Sequence, residues 1–180
     1  MKVISGKLKG RNILGFDIDG TRPTMDRVKE SLFATIQDYI VDSVCLDLFS
    51  GSGNLGIEAI SEGAKFVYLV DSNKKAVKVI NSNISNFNIS SQCNILNTDY
   101  KSALKELSSN KFDIIFLDPP YKTNYIEESI MLINKYDLLK DNGIIICESD
   151  SLDKIIYDGY IEKKSKKYGD KYVVILEKIW

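Results

Sequence analysis

At 180 residues, with 44% hydrophobic and 27% charged side chains, the chain is sized for one domain with its own apolar core. A formal net charge of −1 argues against a surface coated in positive charge for nucleic acid. The absence of histidine excludes histidine-based metal sites, Ser-His and Cys-His nucleophiles and the zinc deaminase pattern, leaving carboxylates, amides, hydroxyls, aromatic rings or a bound cofactor, with no metal expected.

The first ~22 residues read as a small β extension, Lys2–Ile4 pairing with Arg11–Leu14 around Gly6 and Gly10. Pro23-Thr24 then opens a helix: Thr24 can cap it, Asp26 favours its positive N-terminal end, and Val28, Leu32, Ile36 and Tyr39 share one face. Val44–Leu48 reads as a buried strand, followed by a Gly-rich turn and a helix over Leu55–Glu62. Next come a strand over Phe66–Val70, a helix with Val77, Ile80 and Ile84 on one face, a short strand at Cys93–Leu96 and a helix at Tyr100–Leu107. Phe112–Leu117 is a strand ending at Asp118, Ile126–Leu139 a helix and Gly143–Cys147 a fifth strand. Such βα alternation predicts a parallel sheet with helices on both faces. Ile155–Ile161 and Tyr172–Lys178 read as two strands joined by KKSKKYGDK, with the turn at Gly169-Asp170, so an antiparallel edge is expected.

The expected organisation is a single domain over 1–180: the β extension (1–22), a lid-like helix (23–40) and a catalytic core (41–180). No apolar run approaches the ~18 residues of a membrane span, and the opening residues lack a signal-peptide apolar region, so a cytoplasmic location is expected. Cys45, Cys93 and Cys147 are far apart and inside strand-like runs, which reads as reduced structural thiols. Both ends are basic: Lys2, Lys7, Lys9 and Arg11 near the start, and Lys163, Lys164, Lys166, Lys167 and Lys171 near the end.

Gly51, Gly53 and Gly56 fit G-x-G-x-x-G between a strand and a helix, and Asp71 closes the second strand 20 residues after Gly51. The glycines let the backbone approach a ligand, and Asp71 can accept hydrogen bonds from ribose hydroxyls. Alone, the motif fits NAD. The chain leaves no room for a separate substrate domain, however, and Asp47 just before the loop suits a cation better than a pyrophosphate. S-adenosylmethionine carries an ammonium, a sulfonium and a ribose, so acids on both sides of the loop match it. Phe49 belongs to the same cofactor segment. Asp99 is positioned to reach the adenine amine, to cap the helix at Tyr100, or both.

Asp118-Pro119-Pro120-Tyr121 follows the fourth strand, where ligands bind in doubly wound sheets. An exocyclic base amine is a poor nucleophile because its lone pair is delocalised into the ring. Asp118 and the Pro119 carbonyl can each accept one N–H, drawing the nitrogen toward tetrahedral geometry, and the carboxylate stabilises the positive charge that develops there. Pro119 and Pro120 fix the backbone and bring no competing N–H, and Tyr121 can stack on an extruded base.

The segments Arg22-Pro23-Thr24-x-Asp26-Arg27-Val28-x-Glu30-x-Leu32-Phe33, LDLFSGSGNLGIEAISEGA (46–64) and FLDPPY (116–121), in this order, resemble the bacterial 16S rRNA guanine-N2 methyltransferases of the RsmD family. The resemblance covers nearly the whole chain. It implies a Rossmann-like class I S-adenosylmethionine-dependent methyltransferase fold, with a mostly parallel seven-stranded sheet. It also implies transfer of one methyl to N2 of a guanine in 16S rRNA, in the assembled small ribosomal subunit, by a monomer. The Arg22–Phe33 segment would form a lid over the cofactor, and Arg22, Arg27, Lys7 and Lys9, with Tyr121, would contact substrate. Ser50 and Asn54 stand where alanines are expected, and Asp71 where glutamate is frequent. The rival readings are adenine-N6 or cytosine-N4 methylation, protein glutamine methylation, which places Asn where Asp118 stands, and a non-catalytic RNA-binding factor on the same fold.

Overall fold

The runs VCLD, FVYLV and FDIIFL place buried residues on both faces, as strands covered by helices on either side must. In the computed structural model they belong to one seven-stranded sheet, ordered β3-β2-β1-β4-β5-β7-β6. The strands are β1 Val44–Asp47, β2 Phe66–Val70, β3 Cys93–Leu96, β4 Phe112–Leu117, β5 Leu139–Ser149, β6 Tyr160–Tyr168 and β7 Lys171–Lys178. The pairings among β1 to β5 are parallel, and β7 runs antiparallel between β5 and β6. The structure describes residues 1–15, 22–121, 123–151 and 159–179, with the side chains of 22–24 also outside that description.

Among the described residues six helices cover the sheet: α1 Arg22–Thr35, α2 Gln37–Ile40, α3 Asn54–Ser61, α4 Lys74–Phe87, α5 Tyr100–Glu106 and α6 Tyr125–Lys135. The period-2 alternation of each strand sorts its side chains between two cores. Cys45, Ile114, Phe116 and Ile146 pack with α1, α3 and α4, whereas Leu46, Ile115, Leu117 and Cys147 pack with α5 and α6. Cys45 and Cys147 are buried and Cys93 half-buried; burial pushes the Cys45 and Cys93 thiols up to about 12. No helix among the described residues is long and apolar enough to cross a membrane.

The N-terminal extension makes the expected pairing, reduced to a single antiparallel bridge, Lys2 to Asn12, with Val3 N–H donating to Arg11 O at 3.0 Å. A 3-10 turn at Gly6–Leu8 closes it, and Ser61 at the end of α3 anchors it by donating to Ser5 O and accepting from Leu8 N–H.

Three boundaries depart from the sequence reading. α1 begins at Arg22, so Thr24 and Asp26 lie within the helix rather than at its cap and first turn, and it breaks at Ile36 before α2. α6 stops at Lys135 because Asp137 takes φ +51° and the Leu138 and Asp137 N–H groups bond back to Ile133 O and Asn134 O at 3.0 and 3.1 Å. This is a Schellman ending without the usual glycine, so Leu138 and Leu139 are freed to enter β5 and the core. The lysine run is strand, not loop: β6 extends to Tyr168 and only Gly169-Asp170 turns. An exposed edge strand tolerates lysines, which also discourage edge-to-edge pairing. Of the expected strand Ile155–Ile161, residues 155–158 lie outside the described residues.

Candidate active site

Parallel β1, β2 and β4 bring their carboxyl ends to one side of the sheet, and the acids that follow them meet there. Gly53, in the left-handed region at φ +84°, turns the chain from the β1 loop into α3. Gly56 lets α3 lie directly on β2: a Cβ there would meet Leu69 Cδ2 at 2.5 Å and Val67 Cγ1 at 2.9 Å.

Asp47 ends β1 fully buried. Its Oδ2 accepts the Gly56 N–H at 3.2 Å, near the positive end of α3, and its Oδ1 is buried with no hydrogen-bond partner among the described residues. Burial pushes its carboxyl up to about 7, against the opposing pull of the Gly56 bond. A buried acceptor of this kind is stabilised by a cation placed against it. Asp71 reaches back to the loop: Oδ2 accepts the Gly51 N–H at 2.9 Å and Oδ1 the Asn73 N–H at 2.8 Å. Each oxygen retains a second lone pair for a hydroxyl. An ammonium-and-ribose ligand such as S-adenosylmethionine therefore fits the donor set of this loop.

Asp99 is the helix cap the sequence allows. It accepts the Ser102 N–H at 3.0 Å and the Ser102 hydroxyl at 2.7 Å, and these bonds hold its carboxyl below the ordinary range. Half-buried Phe49 stacks on Tyr125, with ring centroids 6.0 Å apart and planes at 6°, and lies 5.4 Å from Tyr100.

Two strands over from β2, which Asp71 follows, β4 presents Asp118. Asp47 pairs with Phe116, which places the β1 acid two residues before Asp118 on the neighbouring strand. Leu117 pairs with Cys147, so Asp118 is beside Glu148 of β5. Burial and the Glu148 carboxylate push the Asp118 carboxyl well above its ordinary range, with Lys171 pulling the other way. Pro119 is buried; the Pro120 carbonyl accepts from the Thr123 hydroxyl at 2.9 Å and closes the turn. Tyr121 is 51% exposed, its ring free to meet an aromatic partner on one side. Pro119, Pro120, Tyr121, Glu127 and Glu148 border an open cleft. Glu127 keeps its Oε2 buried and without a hydrogen-bond partner among the described residues.

α1 passes over the same end of the sheet. Its Leu32 borders a recess shared with Leu55, Asp118 and Glu148, and Arg27 is exposed on it. The Arg22 side chain lies outside the described residues. Lys7 is not brought to the site: it donates to Gln92 just before β3, at the amino ends of the strands. Exposed Lys9 follows the turn docked on the far end of α3. Of the C-terminal lysines, Lys164 and Lys166 reach Thr35 and Ser31 of α1 at 3.3 Å, and Lys163 pairs with Glu177 and Tyr39.

Two groups escaped the sequence reading. Lys171, placed there in a surface cluster, lies at the reaction motif: its Nζ is 5.2 Å from the Tyr121 ring centroid and 2.5 Å from Glu148 Oε1. Lys29 and Glu58 form a buried ion pair at 2.9 Å joining α1 to α3. The one available signal was Glu58, a charge inside the otherwise apolar helix LGIEAI.

A family model described as Conserved hypothetical protein 95 matches residues 1–177. Ribosomal RNA small subunit methyltransferase D of Buchnera aphidicola (from Acyrthosiphon pisum) is 40% identical over 86% of this chain and 80% of its own length. The protein of the same name from Haemophilus influenzae is 38% identical over 83% and 79%. The solved structure of the yhhF protein of Escherichia coli superposes with a TM-score of 0.87 at 29% identity, covering 99% of this chain and 97% of that one.

Proposed function

The chain belongs to the family described as Conserved hypothetical protein 95, the RsmD family, and from that membership we propose that it methylates the exocyclic N2 amine of a guanine in 16S rRNA, with S-adenosylmethionine as donor and the assembled small subunit as substrate. The observation that carries the reading is Asp118-Pro119-Pro120-Tyr121 at the end of β4, beside the strand whose last residue, Asp47, keeps one buried carboxylate oxygen without a hydrogen-bond partner among the described residues. The two relatives named for small-subunit rRNA methylation support the substrate.

Asp47 would hold the cofactor's ammonium, Asp71 its ribose hydroxyls and Asp99 its adenine amine. Bound there, the cofactor supplies an electrophilic methyl group on a sulfonium. The chain's own residues prepare the acceptor. Asp118 and the Pro119 carbonyl each accept a hydrogen bond from one amine N–H, which directs the nitrogen lone pair away from the ring. The Asp118 carboxylate then stabilises the positive charge that develops on nitrogen. Once nitrogen carries the methyl, its surplus proton passes to the Asp118 carboxylate. Tyr121 offers its exposed face to the base.

Support for guanine comes from Glu127. Next to its 2-amine guanine carries a second donor, N1–H, whereas adenine and cytosine carry a ring-nitrogen acceptor beside theirs. A carboxylate oxygen with no hydrogen-bond partner among the described residues, on a residue bordering the same cleft, matches the first and repels the others. Glu127→Ala is expected to lower kcat/KM for rRNA about 10- to 100-fold, the worth of one charge-assisted hydrogen bond, with cofactor affinity unchanged. The measurement is transfer of labelled methyl to 16S rRNA beside calorimetric titration of cofactor. Wild-type turnover in the variant would remove the support for guanine.

A further inference from the structure

We propose that Lys171 and Glu148 are a positioning pair for the methyl-transfer site, Lys171 bracing Tyr121 and supplying the counter-charge that keeps Asp118 ionised while Glu148 opposes it. The inference rests on the reading of Asp118 as acceptor of the amine hydrogens.

The pair is built by topology. β7 enters the sheet antiparallel to β5, so its first residue, Lys171, arrives at the carboxyl end of β5, where Glu148 stands beside Asp118. The ammonium is 2.5 Å from Glu148 Oε1 and 5.2 Å from the Tyr121 ring centroid, within cation–π range. Burial alone would depress the Lys171 ammonium, but Glu148 outweighs it and raises it, so the cation persists through neutral pH. Tyr121 is otherwise half-exposed at the rim of the cleft, and Lys171 fixes the side of its ring away from an incoming base.

Three charges bear on Asp118: Glu148 from β5, Lys171 from β7 and Asp47 from β1. α1 and α3 present apolar Leu32 and Leu55 to the same recess. Two acids against one cation leave Asp118 in a negative, desolvated setting, where it tends to take up a proton. A protonated Asp118 loses both its charge and part of its acceptor capacity, so methyl transfer falls as pH drops through its titration. Lys171 and Glu148 move that point in opposite directions, whereas a pair that served only as a strut would move it in neither.

The test is a titration of the full chain carrying 13C at its aspartate carboxyl carbons. The Asp118 signal is identified by its loss in Asp118→Asn. Rates of transfer to 16S rRNA in small subunits are measured in parallel from pH 5 to 9. Lys171→Met is expected to shift the Asp118 midpoint and the acidic limb of the rate upward by about one pH unit or more, and Glu148→Gln to shift both downward by a similar amount. Lys171→Arg should keep the wild-type midpoint. Midpoints that stay fixed, or that move the same way in Lys171→Met and Glu148→Gln, overturn the pair's role. Opposite midpoint shifts in a protein that transfers no methyl to rRNA would uphold the pair and refute the proposed function instead.

Discussion

Asp118→Ala should lower methyl transfer to 16S rRNA about a thousand-fold while S-adenosylmethionine binds within a few-fold of wild type. The size follows from the role proposed for the carboxylate, which accepts a hydrogen bond from one amine N–H and faces the charge that appears on nitrogen only as the methyl moves. The proposed cofactor anchors, Asp47 and Asp71, are untouched. Stability supplies a second, independent reading. Burial and Glu148 raise the Asp118 carboxyl in the folded protein above its unfolded value. A group shifted that way favours folding below its unfolded pKa, and the contribution is lost as pH rises through the folded one. At pH 8, far above its unfolded pKa, Asp118 therefore costs stability, and alanine should leave Tm unchanged or raise it. A fall in both activity and Tm would mark Asp118 as a structural residue. Single-turnover transfer, cofactor titration and thermal melting on one preparation separate these outcomes.

The largest effect on stability is expected at Lys29. Its three N–H donors are all used, on Glu58 Oε2 at 2.9 Å, Asn54 Oδ1 at 2.8 Å and Lys2 O at 2.7 Å. Glu58 in turn accepts the Ile4 and Ser5 N–H groups at 2.9–3.0 Å. One buried pair thus ties together the N-terminal extension, α1 and α3. Lys29→Met strands a buried carboxylate, a change that costs about 3–5 kcal/mol, and for a chain of this length Tm should fall by on the order of 10 °C. Adding Glu58→Gln removes the stranded charge, so the double variant should be less destabilised than the sum of the two single ones. Additive losses in a melting series would show that the two side chains act independently. Asn54, which departs from the alanine expected in the family pattern, finds its reason here as the third acceptor for Lys29.

The parts of the fold that depend on local period and spacing were legible in the sequence. Short apolar runs marked β1 to β4 and the core of β5, Gly143–Cys147. Asp118 was legible because a motif at a strand end in this fold has only one place to go. The rest required knowing which distant segments meet. Lys171 stands in a lysine-rich run with nothing local to separate it from Lys166 or Lys167; only the antiparallel return of β7 carries it to Glu148. Lys7 shares a basic stretch with residues that could face RNA, yet the docking of the extension on α3 turns it toward Gln92. The Lys29–Glu58 pair was hidden for the same reason: Glu58 is an odd charge in an apolar helix, but nothing local points to Lys29 as its partner. The early end of α6 was hidden because a left-handed Asp137 performs the task that glycine usually announces.

The account turns on one chemical event, methylation of the guanine 2-amine by a site centred on Asp118. Small subunits from cells lacking this protein should be incubated with it and with methyl-labelled S-adenosylmethionine, and the 16S rRNA then digested to nucleosides and weighed by mass spectrometry. The account predicts a single labelled product, N2-methylguanosine, absent with Asp118→Ala. Label in N6-methyladenosine or in a ring-carbon methyl product, or none in rRNA at all, would contradict it.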